Sequence, residues 1–193
     1  MMRNAILIFS IPAFLFACKP GDAYQSHVQQ LDRALLEVDS VNAVFHSLPL
    51  DSVGALYASI KDDMSAIQKK YRGEMPKDRA FTLSRYRDIP NNLKNFSEVR
   101  KAVEKEFELS ASQLQSLREA LVSGADVDGK GNKIDQTYVE KYSAEEIRLA
   151  SALRQKVEQI QTGLQKSFQD YQQVYPELSA FLDSVKTLDE PVE

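Results

Sequence analysis

The chain has 193 residues, 43% hydrophobic and 27% charged, with seven glycines, seven prolines, one cysteine and no tryptophan. That balance suits one folded domain and excludes collagen-like, disulfide-scaffold and low-complexity chains. The formal net charge is −4.

The N-terminus reads as an address. Met1 to Asn4 carry one positive side chain, Arg3, and Ala5 to Phe16 follow as AILIFSIPAFLF before the sequence turns polar at Lys19. The run is shorter than the ~20 apolar residues a membrane span requires, and it has the outline of a secretory signal. A buried N-terminal helix is the alternative, but Pro12 would break it. The stretch closes as Leu15-Phe16-Ala17-Cys18 and resembles the lipobox of bacterial lipoproteins, with Phe16 where that family usually has a small residue. The resemblance covers residues 1–18 and implies cleavage before Cys18 and acylation of its thiol. A lone cysteine in an oxidising compartment has no internal disulfide partner, which independently suits a lipidated thiol. A soluble secreted protein with a free thiol is the competing reading. Two or more acyl chains hold where one is marginal, at ~0.8 kcal/mol per buried methylene. Lys19, where the enteric family's inner-membrane retention signal is aspartate, implies the outer membrane. The absence of an acidic cluster in Pro20-Gly21-Asp22 implies its periplasmic face.

Without the signal the net charge is −5, unevenly spread: residues 19–68 hold three basic and seven acidic side chains, 69–105 eleven and five, and 106–193 nine and sixteen. Apolar residues at alternating steps of three and four mark four helical segments. The first carries Tyr24, Val28, Leu31, Leu35, Val38 and Phe45, with Asn42 as its polar entry. The second carries Val53, Tyr57, Ile60, Met64, Ile67 and Tyr71, with Asp51 as N-cap and Gly73 as stop. Residues 76–89 read as a short, less regular helix bounded by Gly73 and Pro90.

The third long segment runs from Phe96 through Val99, Val103, Phe107, Ser110, Leu114 and Leu117 to Leu121, and stops at Ser123-Gly124. The fourth carries Leu149, Leu153, Val157, Ile160, Leu164, Phe168, Tyr171, Tyr175, Leu178, Leu182 and Val185. From Val139 to Tyr175 it has 37 residues, or roughly 55 Å of helix. Pro176 predicts a kink or restart near Tyr175. Gly163, at a cost of about 1 kcal/mol in a helix interior, predicts a close helix crossing.

A helix with one apolar stripe needs a partner to stay folded, and short connections favour antiparallel neighbours. The predicted fold is therefore all-α, an elongated antiparallel helical bundle with coiled-coil-like long helices. In it the first two long helices form a hairpin, the last two a longer one, and the hairpins pack together. Residues 1–17 are the lipoprotein signal peptide, 18–22 the lipidated tether, 23–187 the bundle domain and 188–193 a flexible acidic tail.

Chemistry-bearing patterns are sparse. His27 and His46 sit 19 residues apart, roughly 28 Å on one helix. Signatures of metalloproteases, phosphate loops, dinucleotide folds and thiol-redox motifs are missing, so no catalytic residue, cofactor or metal is expected. Asp126 to Asn132 begins like a calcium loop, but Lys130 takes a ligand position and Thr137 replaces the closing glutamate. A polar turn accounts for the same composition. Glu104 with Glu108, flanked by Arg100, Lys101 and Lys105, reads as a salt-bridged surface, and Asp62-Asp63 and Glu145-Glu146 as solubilising residues.

The basic middle, Lys69, Lys70, Arg72, Lys77, Arg79, Arg85 and Arg87, is the candidate partner-binding set, with Tyr71, Phe81 and Tyr86 interleaved. Export argues against nucleic acid. An envelope protein or an anionic envelope polymer is the expected partner. Neutralisation against the acidic last helix is the alternative fate of these charges.

In layout the mature portion is similar to the small all-helical lipoproteins of Bacteroidota. The lipobox resemblance, the long apolar stripes and the lack of a catalytic set lead to the expectation of a membrane-tethered, non-enzymatic scaffold or partner-binding module in the cell envelope. A helical bundle that binds a small ligand or ion in the periplasm is the rival, with Asn42 and Ser110 as polar entries in apolar stripes and the tyrosines lining a pocket.

Overall fold

The longest apolar stripe becomes the spine of the fold. The computed structural model describes residues 23–188. Its elements are α1 (Gln25–Ser47), α2 (Leu50–Lys70), α3 (Lys77–Asp88), a 3-10 turn (Ile89–Asn92), α4 (Phe96–Ser123) and α5 (Gln136–Lys186). The signal stretch 1–17, Cys18, the rest of the tether to residue 22, and tail residues 189–193 lie outside the described residues. An all-α, elongated bundle forms as expected.

α5 is one helix of 51 residues, about 75 Å long. It buries Val139, Leu153, Val157, Leu164, Val174, Leu178, Leu182 and Val185 along one side. The other helices form two arms along it. α1 runs parallel to α5: Glu37 pairs with Arg154 at 3.2 Å, and Leu48 and Pro49 lie beside Leu164 and Phe168. α2 continues in the same direction until Lys70 Nζ donates to the carbonyls of Lys186 and Leu188. The return arm is antiparallel to α5. On α3, Arg79 lies over Phe181, Thr82 beside Glu177 and Tyr86 beside Tyr171; on α4, Glu106 pairs with Lys156 at 2.6 Å.

The expected hairpin of the first two long helices does not form. α1 packs on α4 and α5, α2 chiefly on α5, and α1 and α2 barely touch. Their buried residues, Leu31, Ala34, Val38 and Phe45 in α1 and Leu50, Val53, Leu56 and Ile60 in α2, face the same way across the break. A hairpin would turn these stripes on each other and leave the C-terminal half of α5 bare, whereas the in-line arrangement covers the whole spine.

Both arms break at one level of α5. Leu48 and Pro49 interrupt the outgoing arm with extended and irregular backbone. Pro90 and Asn95 interrupt the return arm; Pro90 has no N–H for a helical bond, and Asn95 adopts φ 59°, a left-handed conformation asparagine tolerates. Lys94 and Phe96 lie beside Ile160, Gly163 and Leu164, close to where Leu48 meets α5.

Several local expectations hold and others change. α4 starts at Phe96 and is capped by Gly124 at φ 67°, as its sequence indicates. Asp51 is not the N-cap of α2: Pro49 holds that position, and Asp51 sits in the first turn and pairs with Arg100 at 3.2 Å. α5 does not restart at Pro176 but runs through it, with Val174 and Leu178 buried on either side. Gly163 marks no close crossing, because a Cβ there would meet no atom within 4 Å.

The loop between α4 and α5 folds around Asp128. Its Oδ1 accepts the N–H groups of Lys130 and Asn132, both at 2.8 Å, and its Oδ2 accepts the Asn132 side-chain amide and the Tyr138 hydroxyl. The calcium-like spacing is thus an Asx-type turn whose central carboxylate is occupied by protein donors. Asp135 then caps α5 by accepting Tyr138 N–H at 3.0 Å.

Two outcomes follow. Gly163→Ala should stabilise the protein by about 0.4–1 kcal/mol through the unfolded chain's lost freedom, seen as a raised thermal midpoint; a lowered midpoint would reveal a contact at this position. The hydrogen bonds to Asp128, those from Asn132 foremost, hold its carboxyl down at about 2. The turn's contribution is therefore complete above the ordinary value of 3.8 and is lost as pH falls through about 2. Amide exchange at Lys130 and Asn132 should accelerate over that window, and Asp128→Ala should abolish the acid dependence.

Candidate functional site

Cationic side chains gather at one end of the bundle. Residue 23 enters at the opposite end, where Ala23 and Tyr24 lie against Leu121, Gly124 and Ile134. The basic set runs from the end of α2 along the whole of α3, beside the C-terminal third of α5: Arg79 lies over Phe181, and Arg85 and Arg87 flank Tyr86, which stands beside Tyr171. Lys69 and Lys70 close α2, a position where cations suit the helix dipole. Lys70 uses its ammonium to bind the terminal carbonyls of α5, Lys186 O at 3.1 Å and Leu188 O at 2.9 Å. Arg72 is exposed in the following turn.

On α3, Lys77, Arg79, Arg85 and Arg87 are all exposed. The Arg79 guanidinium lies 4.7 Å from the centroid of the Phe181 ring, a cation–π contact that gives it a packing role. Among the described residues, Arg87 alone of the seven pairs with a carboxylate, that of its neighbour Asp88 at 3.6 Å. Neutralisation against the last helix therefore does not take the form of ion pairs. Glu145 and Glu158 of α5 instead pair with its own cations, Arg148 at 2.8 Å and Arg154 at 3.6 Å, and Glu177 accepts from the Thr82 hydroxyl of α3.

α3 is held in place by one buried polar node. Tyr86, the helix's only buried residue, is fully enclosed. Its hydroxyl donates to Asp63 Oδ2 at 2.6 Å. Lys186 Nζ lies 2.6 Å from Asp63 Oδ1, an ionic contact outside hydrogen-bond geometry. The Tyr86 ring stands 6.1 Å from Tyr171 and 6.4 Å from Tyr175, which stack on each other at 4.9 Å. Three helices thus meet at one carboxylate. Burial first, then the bond to Asp63, pushes the Tyr86 hydroxyl far above the ordinary phenol range. Contact with Asp63 raises Lys186, and burial raises Tyr171.

Asp63 corrects its sequence assignment as a solubilising residue, since only 1% of it is exposed. The signal was in the spacing: Asp63 stands three after Ile60 and four before Ile67, on the buried stripe itself. Glu146 also corrects its assignment. It is buried, its Oε2 has no partner, and desolvation and then Glu145 raise its carboxyl. Glu104 pairs with Arg100 at 3.0 Å, in keeping with a salt-bridged surface.

Of the polar entries named for a ligand pocket, only Ser110 lines a groove. Asn42 is half-buried on α1. Ser110 is buried on α4 with its hydroxyl unpaired, facing a groove of about 280 Å³ that Leu109, Leu149 and Leu153 also line. Among the described residues no three His, Cys, Asp or Glu side chains converge as a metal site, and no helix is long and apolar enough to cross a membrane.

The geometry is that of a clamp presenting a short cationic helix. Comparison with protein-family models, with characterised proteins and with solved structures returns no match.

Tyr86→Phe keeps the ring and removes the donor to Asp63, so it should cost about 1.5–3 kcal/mol, the range for hydrogen bonds to charged groups, in urea unfolding. The raised Tyr86 and Lys186 groups both favour the protonated form in the fold. Their contribution is whole below the ordinary values of 10.0 and 10.5 and drains as pH rises beyond them. The wild type should lose stability faster than Tyr86→Phe above about pH 10; equal slopes would remove the node from the account.

Proposed function

We propose that this chain is a lipid-tethered envelope protein, a non-enzymatic helical spacer that presents a cationic contact surface to a partner. The observation that carries the reading is polarity of layout. The tether side, residue 23, and the basic α3 lie at opposite ends of a bundle whose spine is a single helix of 51 residues. A rod of about 75 Å, with cations toward its far end that, Arg87 apart, pair with no carboxylate among the described residues, suits holding a contact surface clear of an anchoring membrane. Cys18 is the proposed lipid site, and the periplasmic face of the outer membrane the proposed location. An envelope protein or an anionic envelope polymer is the class of partner that lysine and arginine side chains without carboxylate partners would draw.

The tether is tested by Cys18→Ala. The substituted chain should leave the membrane fraction, whereas unchanged fractionation would overturn the lipid reading. The contact role is tested separately by crosslinking in intact cells with Lys77→Glu and Arg85→Glu together. Both residues are exposed and make no ion pair among the described residues, so capture should fall while thermal stability stays within about 0.5 kcal/mol. Arg79 is a poorer probe, because its stacking on Phe181 ties it to packing.

A further inference from the structure

The outward face of α3 carries one unusual neighbour for its cations. Phe81 is 69% exposed. Lys77, Phe81 and Arg85 stand at steps of four, on one line of a helix, opposite the buried Tyr86. Asp88, at the end of the same face, is engaged with Arg87, and Asp78 lies to one flank. Lys69 and Arg72 extend the positive surface beyond the start of α3, and over residues 69–87 seven basic side chains face two acidic ones.

We infer that this face docks on an anionic lipid bilayer, with Phe81 entering the interface while Lys77 and Arg85 contact lipid phosphates. The inference rests on reading the cationic end as a contact surface; it does not require the tether. Three observations favour a bilayer over other anions. A saccharide or phosphate polymer would satisfy the cations but offers nothing for an exposed phenyl ring. An acidic protein would need a shaped apolar pocket for that ring. A bilayer interface accommodates an aromatic side chain at the headgroup level and attracts the flanking cations without a preformed pocket. α3 is attached through Tyr86, Arg79 and the partly buried Thr82 and Leu83, which leaves Lys77, Phe81 and Arg85 exposed on its outer side, where a broad surface can reach them.

The chain has no tryptophan, so Phe81→Trp supplies a single fluorescent reporter at an exposed position. In the Cys18→Ala background, which removes the proposed lipid, its emission should shift to the blue with vesicles of phosphatidylcholine and phosphatidylglycerol and stay unshifted with phosphatidylcholine alone. Adding Lys77→Glu and Arg85→Glu should lower vesicle partitioning on the order of 30-fold or more, about fivefold for each cation removed. Circular dichroism of each variant establishes that the bundle is intact. Unshifted emission with the anionic vesicles overturns the inference, and so does an equal shift with neutral ones. Sedimentation with anionic vesicles without a shift overturns entry of the ring. A shift with soluble polyglutamate and none with vesicles assigns the face to an acidic protein instead. Failure here, with reduced crosslinking of the charge-reversed chain in cells, removes the lipid and leaves the contact surface standing.

Discussion

The buried stripe along α5, apolar apart from Ser143, Glu146 and Ser167, is the constraint on which the rest of the molecule depends. A helix of 51 residues cannot remain single in water with one greasy side, so the remaining chain must cover it from end to end. Neither arm does so as one helix. Each is broken once, at a proline, and both breaks lie near Gly163 to Phe168. The continuous helix therefore spans the level at which its two partners are discontinuous, and α1 with α2, like α3 with α4, act as successive segments of one cover. Ion pairs contribute little energy individually, but Glu37 with Arg154 and Glu106 with Lys156 align the arms with the spine, and Asp32 with Arg118 aligns the arms with each other.

The far half of the bundle adds a different kind of specificity. α3 has too few apolar residues to adhere by burial alone, and it docks through Tyr86 on a carboxylate contributed by α2 and neutralised by α5. A buried charge is costly unless it is paired and hydrogen-bonded. Asp63 has one charge partner and one hydroxyl donor, each from a different helix. Misplacing either helix would leave that carboxylate uncompensated, which favours a single arrangement of α2, α3 and α5. Lys186 stays half in solvent, so the node retains a hydrated side next to the cationic face.

This division of labour connects packing to the proposed role. Residues that hold α3 in place, Tyr86 and Arg79, point toward the bundle, and Lys70 binds the end of α5 to α2. Lys77, Phe81 and Arg85 are exposed, and neither cation pairs with a carboxylate among the described residues. A short helix fixed on one side and exposed on the other suits the proposed contact role. The near end is organised otherwise, by the Asp128 turn and the cap at Asp135, whose polar groups are satisfied within the loop.

Residue pattern by itself determined the helical class, the span of α4 with its stop at Gly124, and the long last helix, because periodic apolar spacing and glycine capping are local properties of the chain. The polar turn at Asp128 was legible for the same reason. The direction of α2 was not: a two-residue link permits a turn back or a continuation, and the choice follows from the length of spine to be covered. Asp63 lay in register with Ile60 and Ile67, yet carboxylates are usually solvated, and only the arrival of Tyr86 and Lys186 from distant segments makes its burial tolerable. Gly163 looked like a crossing and Pro176 like a kink or a restart. Tertiary packing leaves the glycine facing open space and carries the helix through the proline, because neighbouring helices decide what a backbone position must accommodate.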